Sequence, residues 1–293
     1  ASGRVSPEVE QRIRQAAAQL RYEPHVSGQF LRSGRSSVLG LVVTDFENPF
    51  FGAVSRGAQS AAASHGHSLM LMEAAYEGDA FIPFRALDAG LVSGLLLYSI
   101  SPPPDTGDRA PRVTLIESRL PGFRSAAFNV SASFRDLASA LAVKARRVAY
   151  VDADLQRWAF QHRRSELFAA LEESAPRTEV QVIEAPLRID VAARTIAGAL
   201  GSGPAPDVIV CADDVLTAGA YHALPAVGLR SEHDIDVFTF GGTVVGHALL
   251  PQPRGVRASG ASLGSAAIEL HLDQNPTTTE VDVPTQAVLD GPC

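Results

Sequence analysis

The stretch VLGLVVTDFENPFFGAVSRGAQSAAASHGHSLMLME, residues 38–73, decides the fold of this chain. An apolar run at 38–43 is followed by an Ala-rich segment of helix length at 51–65 and by a second apolar run at 68–73. Apolar runs of strand length that alternate with helical segments are typical of a parallel sheet covered by helices. The stretch therefore predicts a β-α-β unit.

The same alternation continues along most of the chain. Further apolar runs are GLLLYS (94–99), RVTLIE (112–117), RVAYVD (147–152), VQVIEA (180–185), DVIVCA (207–212) and DVFTF (236–240). Helices are predicted at 131–143, 163–174, 190–200, 215–224 and 262–272. Eight strands would make a large single sheet. The series is also interrupted by the polar segment SPPPDTGDRAP (101–111) and by the basic KARR (144–147). We therefore predict two α/β halves with a cleft between them.

Composition limits the class of protein. The chain has 293 residues, of which 46% are hydrophobic and 19% charged, and this is enough for two globular cores. No apolar run approaches the roughly 18 residues of a membrane-spanning helix, and no secretion-signal pattern is present. We expect a cytoplasmic protein with no membrane partner. Cys211 and Cys293 form neither a disulfide framework nor a zinc motif, so no metal or cofactor is expected.

The first 37 residues are basic although the chain is acidic. Six arginines and three glutamates give them a net charge of +3, whereas the whole chain carries −7. This asymmetry suggests that the head contacts a polyanion or a membrane surface. Residues 5–20 are predicted to form a helix, because Ser6 can cap it and Pro7 suits its first position. Residues 25–34 are too few to be stably helical alone, and their composition by itself favours a flexible linker.

Several motifs, in order and at their spacing, carry a family resemblance. The segments RVSPEVEQRIRQAAAQLRYEPHVSGQFLRSGRSSVLGLVVTDFENPFFGAV (4–54), DVIVCADDVLTAGAYHAL (207–224), LLPQPRGVRAS (249–259) and VPTQAVLDGPC (283–293) resemble the LacI/GalR family of bacterial transcription regulators. The resemblance covers essentially the whole chain. It implies an α/β fold with two Rossmann-like subdomains of periplasmic-binding-protein type I architecture. A remnant of an all-α DNA-binding head and a hinge helix would precede them.

The resemblance also implies domain boundaries. The end of the head and the hinge would occupy 1–36. The N-terminal effector-binding and dimer subdomain would occupy 37–145 with about 258–275, and the C-terminal subdomain 146–257 with about 280–293. Because the helix-turn-helix of the family would lie upstream, Ala1 is not expected to be the natural start.

By this resemblance the chain is a sequence-specific DNA-binding regulator, a repressor, and a homodimer. Its partners would be a pseudo-palindromic double-stranded operator and a small-molecule effector of unknown identity. One alternative is a solute-binding protein of the same fold. Another is a hydrolase using Ser262 of GASLG (260–264), but the last histidine after this serine, His271, precedes the first aspartate, Asp273, so the order serine, aspartate, histidine fails. We therefore expect no enzymatic activity.

The hinge residues are the first group of candidates. The resemblance assigns DNA contacts to His25, Val26, Gln29, Leu31, Arg32 and Arg35. Leu31 would insert as an apolar wedge into a central base step, and Arg32 and Arg35 would contact phosphates or the groove.

Cleft residues are the second group. The resemblance assigns effector contacts to Phe50, Phe51, Arg157, Trp158, Arg163, Asp213 and Phe240. Arg163 matches an arginine that holds effector oxygens, a role that suits its rigid donor fork. The alternative for the arginines is a surface ion pair, and for Phe50 and Phe51 a place in the core.

Several positions depart from the family pattern, and Gly241 is the departure that bears most on the ligand. Gly241 stands where the family usually has an aspartate that accepts sugar hydroxyls. We therefore expect a cleft that is atypical for sugars. Its effector would be an anion or an aromatic metabolite held by Arg157, Trp158 and Arg163, or the cleft would sense none.

Overall fold

A computed structural model describes residues 6–19, 36–74, 81–100, 106–153, 157–231 and 233–289. Within these ranges the strands are β1 (Val38–Val43), β2 (Ser68–Glu73), β3 (Gly94–Tyr98), β4 (Val113–Ile116), β5 (Arg124–Asn129), β6 (Arg147–Ala153), β7 (Glu179–Ala185), β8 (Val208–Cys211), β9 (Asp236–Gly241), β10 (Arg254–Arg257), β11 (Glu280–Pro284) and β12 (Gln286–Val288).

The helices of the same ranges are α1 (Pro7–Gln19), α2 (Pro49–Ser64), α3 (Phe81–Asp88), α4 (Ser131–Lys144), α5 (Trp158–Ser174), α6 (Ile189–Gly201), α7 (Asp214–Ala226), α8 (Val244–Ala248) and α9 (Gly260–Leu272). A 3-10 helix, Gly107–Arg112, precedes β4. None of these helices has the length and apolar character needed to cross a membrane.

The strands form two sheets of six strands each. Their orders are β11-β5-β4-β3-β1-β2 and β12-β10-β9-β8-β6-β7. All neighbours are parallel except β10 and β12, which are antiparallel. Helices cover the buried strands, so the predicted architecture of two parallel α/β halves is confirmed.

The β1-α2-β2 unit forms as its sequence predicts. The Asn48 side chain caps α2 by accepting a hydrogen bond from the backbone N–H of Phe50 at 3.0 Å, and Pro49 occupies the first turn. The small residues of α2 let it lie close to α9. A β-carbon on Gly57 would overlap the backbone of Ala261, so glycine is required at this crossing.

The chain crosses between the two sheets three times. The crossings lie between β5 and α4, between β10 and α9, and between β11 and β12. Each takes no more than two residues outside regular structure. Short connections of this kind limit the relative motion of the two halves to rotation about the crossings.

The structure places two segments differently from the predicted boundaries. Residues 280–284 pair with β5 of the first sheet rather than with the second half. Helix α4 contacts β10, β12 and α5, so 131–144 lie with the second sheet although 37–145 were expected together. Both differences arise because the chain changes sheet within one or two residues, which leaves no signal in local composition.

Several short elements were not predicted. They are β5, β10, β11, β12, α3 and α8. Strand β5 has the sequence RSAAFN and β10 the sequence RGVR, and neither is a run of apolar, β-branched residues. These two segments form strands because they pair with neighbouring strands, although their own sequences have little preference for the β conformation.

Helix α1 begins where it was predicted. The backbone N–H of Val9 donates to Oγ of Ser6 at 3.4 Å, which is the expected N-terminal cap. The six hinge candidates, His25, Val26, Gln29, Leu31, Arg32 and Arg35, lie outside the described residues.

Candidate functional site: a cleft between the two sheets

A cavity of about 320 Å³ lies between the two halves. Its wall is formed by residues at or just after the carboxyl ends of β1, β3, β7, β8, β9 and β10, together with side chains from α2 and α5. Ligands of open α/β sheets bind beyond the carboxyl ends of the strands. The volume suits a small ligand of a few ring or chain atoms.

Six of the seven predicted effector-binding residues line this cavity. They are Phe50, Phe51, Arg157, Arg163, Asp213 and Phe240. They come from both halves, and the fold brings them together although they are separated by up to 190 residues in the sequence. Whether they contact a ligand stays a prediction.

Trp158 is the exception, because it does not line the cavity. Its ring stacks on His162, with centroids 4.4 Å apart and an interplanar angle of 22°. The two residues are four apart on α5 and therefore occupy one face of the helix. This geometry directs the indole along α5 and not toward the cavity wall.

Arg163 is the central charge of the site. It is buried on α5, and its Nη2 donates to Oε2 of Glu117 at 2.8 Å, with side chains only 6% and 2% exposed. The guanidinium also lies over the Phe240 ring, 4.1 Å from its centroid. Burial lowers the pKa of Arg163, but the charge of Glu117 outweighs burial and holds this pKa above its ordinary value. The arginine stays charged at any physiological pH.

Glu117 was not identified from the sequence. It follows β4 with φ of 51°, an uncommon left-handed conformation for a residue with a side chain. This conformation turns the carboxylate into the protein, where Oε1 accepts the backbone N–H of Phe128 at 2.7 Å. The sequence pattern that could have identified Glu117 is its position directly after the apolar run VTLI, because a charged residue at the carboxyl end of a parallel strand faces the cleft.

Arg157 forms a second contact across the cleft. Its Nη1 donates to Oγ1 of Thr44, which follows β1, at 2.6 Å. Burial lowers the pKa of Arg157 to about 10, which still leaves it charged at neutral pH. Arg157 and Arg163 therefore both bridge the two halves, and neither is a surface ion-pair partner.

Asp213 occupies the start of α7. It caps this helix by accepting from the backbone N–H of Val215 at 2.6 Å. Burial, followed by the neighbouring charge of Asp214, raises the pKa of Asp213 to about 6. A hydrogen bond with Asn48 of the first half opposes this shift. Asp213 is thus a carboxylate that titrates close to neutral pH within the cavity wall.

Asp214 explains the departure at Gly241. Its Oδ2 accepts hydrogen bonds from the backbone N–H groups of Gly242 and Thr243 and from the Thr243 hydroxyl, at 3.0, 2.8 and 2.7 Å. Oδ1 accepts from the hydroxyl of Thr239 at 3.0 Å. A β-carbon on Gly241 would overlap this carboxylate. The glycine therefore makes room for Asp214, and all four hydrogen bonds of that carboxylate are internal.

The remaining wall is aromatic. Phe50, Phe51 and Tyr98 pack edge to face, with centroids 4.8 to 5.8 Å apart. Burial raises the pKa of Tyr98 well above its ordinary value, so its hydroxyl stays neutral. The cavity thus offers flat apolar surfaces and a few fixed polar groups, which is the composition of a binding pocket.

No nucleophile with an activating base is evident in the cavity wall. Ser262 lies outside it, in the first turn of α9, where its hydroxyl donates to Ser259 at 2.9 Å. Burial raises the pKa of the Cys211 thiol to about 12, so that thiol stays protonated. No cluster of three potential metal ligands occurs in the part of the chain that the structure describes.

Similarity to known proteins identifies the family of this chain. Residues 36–269 match the family described as periplasmic binding proteins and sugar binding domain of LacI family. The ribose operon repressor of Halalkalibacterium halodurans is 25% identical over 299 aligned residues, which cover 98% of this chain and 88% of the relative.

Solved structures have the same fold. The LacI transcriptional regulator from a Rhodococcus species has a TM-score of 0.75 at 20% identity, covering 86% of this chain and 96% of that one. The LacI family transcriptional regulator from Enterococcus faecium with bound ribose has a TM-score of 0.74 at 17% identity, covering 85% and 96%. Since the family match spans residues 36–269, the chain belongs to the LacI family of DNA-binding transcriptional regulators, as its motifs predicted.

Proposed function

We propose that this chain is a homodimeric repressor whose affinity for a pseudo-palindromic operator is controlled by a small molecule in the cleft. This proposal rests on one observation: residues of both halves form the cavity wall. Phe50 and Tyr98 belong to the first half, whereas Arg163 and Asp213 belong to the second. A ligand that touches both halves binds best at one angle between them, and its binding therefore shifts the protein toward that angle.

The three crossings support this coupling. Each is too short to let the halves separate, so a ligand can only change their relative rotation. The cross-cleft bonds of Arg157 with Thr44 and of Arg163 with Glu117 must adjust when that rotation changes. These contacts stabilise the present arrangement of the two halves against other rotations.

Exposed apolar side chains support the homodimer. Strand β2 is an edge of the first sheet and carries Met70 and Leu71, which are 38% and 46% exposed. Ile82 and Leu91 are also exposed. An uncovered apolar edge strand is a liability in a monomer, and a second copy of the chain would cover it.

The DNA contact rests on the resemblance at 22–36 and on the basic charge of the head. A net charge of +3 over residues 1–37 favours phosphate contact. The test is DNA selection with the full-length chain, including any segment upstream of Ala1, at several salt concentrations. We expect an enriched palindrome with a deformable central step. Leu31→Ala should weaken binding to the selected site and leave the dimer intact.

One result would contradict the proposal. Weak, steeply salt-dependent DNA binding without sequence preference would indicate a merely basic head, and a solute-binding role would then replace the repressor. Unchanged operator affinity of Leu31→Ala would remove the wedge assignment alone.

A further inference from the structure

Glu117 and Arg163 form an ion pair that lies inside the cleft and joins its two halves. The carboxylate comes from the end of β4 in the first half, and the guanidinium comes from α5 in the second. The Nη2 to Oε2 distance is 2.8 Å, and both side chains are more than nine-tenths buried. Arg163 itself is part of the cavity wall.

The carboxylate of Glu117 sits in a complete anion site. Oε2 accepts from Arg163 and Oε1 accepts from the backbone N–H of Phe128 at 2.7 Å. Two buried donors that converge on one carboxylate are the arrangement that proteins use to hold carboxylate ligands. Here the carboxylate is supplied by the protein.

The guanidinium is held on both of its terminal nitrogens. Nη2 donates to Glu117 at 2.8 Å and Nη1 donates to the carbonyl oxygen of Ala212 at 3.4 Å, while Nε is buried. A ligand beside Arg163 therefore needs no negative charge, because Glu117 already neutralises the guanidinium.

The other charges of the cavity do not favour anions. The described wall contains three arginines, Arg157, Arg163 and Arg188, and three aspartates, Asp45, Asp213 and Asp214. Glu117, directly behind the wall, adds a fourth carboxylate. The set has no excess of positive charge, so an anionic ligand gains no net attraction on entering.

We propose that Glu117 sets the charge class of the ligand: its carboxylate occupies the anion site at Arg163, so the cleft rejects anionic ligands and accepts uncharged ones. This inference rests on the proposal that the cleft is the ligand site, and it deepens that proposal by naming the selecting residue. It differs from the expectation of an anionic effector, because that expectation left out the internal carboxylate.

The test removes the carboxylate of Glu117 by mutation and supplies acetate in solution to take its place. Glu117→Ala deletes two carbons and two oxygens of the side chain, which together match acetate. We expect acetate to stabilise Glu117→Ala against thermal unfolding in a saturable way, with an apparent Kd about tenfold or more lower than for the wild-type protein. Fluorescence of Trp158, the single tryptophan of the chain, provides a second readout because α5 carries both Trp158 and Arg163.

Controls separate charge from other effects. Acetamide has the shape of acetate without its charge and should not rescue Glu117→Ala. Glu173→Ala removes an exposed carboxylate of α5 and should not gain a saturable acetate response.

A second variant covers the case in which Glu117→Ala does not fold. Glu117→Gln keeps the shape and removes only the charge, and we expect its affinity for D-gluconate to exceed that of the wild-type protein about tenfold or more. D-glucose, the uncharged comparison, should show no such gain. The absence of an anion gain in every variant that folds would overturn the proposal. These measurements contain no DNA, so they remain decisive even if the repressor proposal fails.

Discussion

The carboxylate of Asp214 lies where a side chain on residue 241 would have to lie. A β-carbon on Gly241 would overlap Oδ1 and Oδ2 of Asp214, and one on Gly246 would come within 2.5 Å of Oδ1. Asp214 therefore occupies a space that two glycines keep open. Through this contact the cavity wall at Gly241 packs against the first turn of α7, the helix that Asp213 caps.

The first prediction concerns Gly241→Ala. We expect it to lower the free energy of unfolding by about 1–3 kcal/mol, because the new methyl group must displace a carboxylate with four hydrogen bonds. Gly198→Ala is the matched control: Gly198 lies within α6 with no atom near its missing β-carbon, so alanine should stabilise by about 0.5–1 kcal/mol. Urea denaturation measures both. Equal effects of the two variants would contradict the tight fit at Gly241.

The second prediction concerns Asp214→Asn. Asparagine keeps one oxygen that can accept from the two backbone N–H groups, but these bonds lose the negative charge of their acceptor, and the NH2 group must take the place of the oxygen that accepts from the Thr239 hydroxyl. We expect a loss of about 2–3 kcal/mol in the free energy of unfolding. Asp190→Asn, at an exposed position, should change stability by no more than about 0.5 kcal/mol. A silent Asp214→Asn would show that the turn after β9 does not depend on this carboxylate.

The third prediction concerns the ion pair of Glu117 and Arg163. Arg163→Met leaves a buried carboxylate without its partner and should cost about 3–5 kcal/mol. The double variant Glu117→Gln with Arg163→Met removes both charges and should recover part of that loss. A double-mutant cycle from chemical denaturation gives the coupling energy. Strictly additive effects would mean that the pair contributes no mutual stabilisation.

The fourth prediction is a pH dependence. Because the pKa of Asp213 is raised to about 6, the folded protein binds this proton more tightly than the unfolded chain does. The resulting stability is present at low pH and is lost as the pH rises toward about 6. Asp152, whose pKa burial also raises to about 6, acts in the same window.

We therefore expect the unfolding free energy of Asp213→Asn to fall less steeply than that of the wild-type protein between about pH 4.5 and 6.5. Asp152→Asn should reduce the slope in the same direction. Urea titrations at a series of pH values measure these slopes. A wild-type slope in Asp213→Asn would show that its carboxyl titrates at an ordinary pKa.

The fifth prediction concerns self-association. Leu71→Asp places a charge on the apolar edge strand β2, and we expect it to weaken dimerisation about tenfold or more. Val143→Asp, on α4, is the control because Val143 is 88% exposed but lies away from that edge. Sedimentation equilibrium measures the dimer dissociation constant. Equal constants for Leu71→Asp and Val143→Asp would exclude β2 from the interface.

The sequence predicted strongly apolar strands better than weakly apolar ones. The runs at 38–43, 68–73 and 147–152 formed strands, because apolar residues of strand length are a local pattern that pairing then completes. Strand β5, with two alanines at its centre, carries no such pattern and depends on its neighbours β4 and β11. Family motifs, not periodicity, led to the six predicted residues that line the cavity.

The two α/β halves, the start of α1 and the family could be read from the sequence, because each depends on residues close together in the chain. Three features follow from the fold alone: Glu117 neutralises Arg163, Asp214 fills the space beside Gly241, and 280–284 join the first sheet. Glu117 and Arg163 are 46 residues apart. Contacts of this range depend on how strand ends converge at the cleft, and no local pattern encodes that convergence.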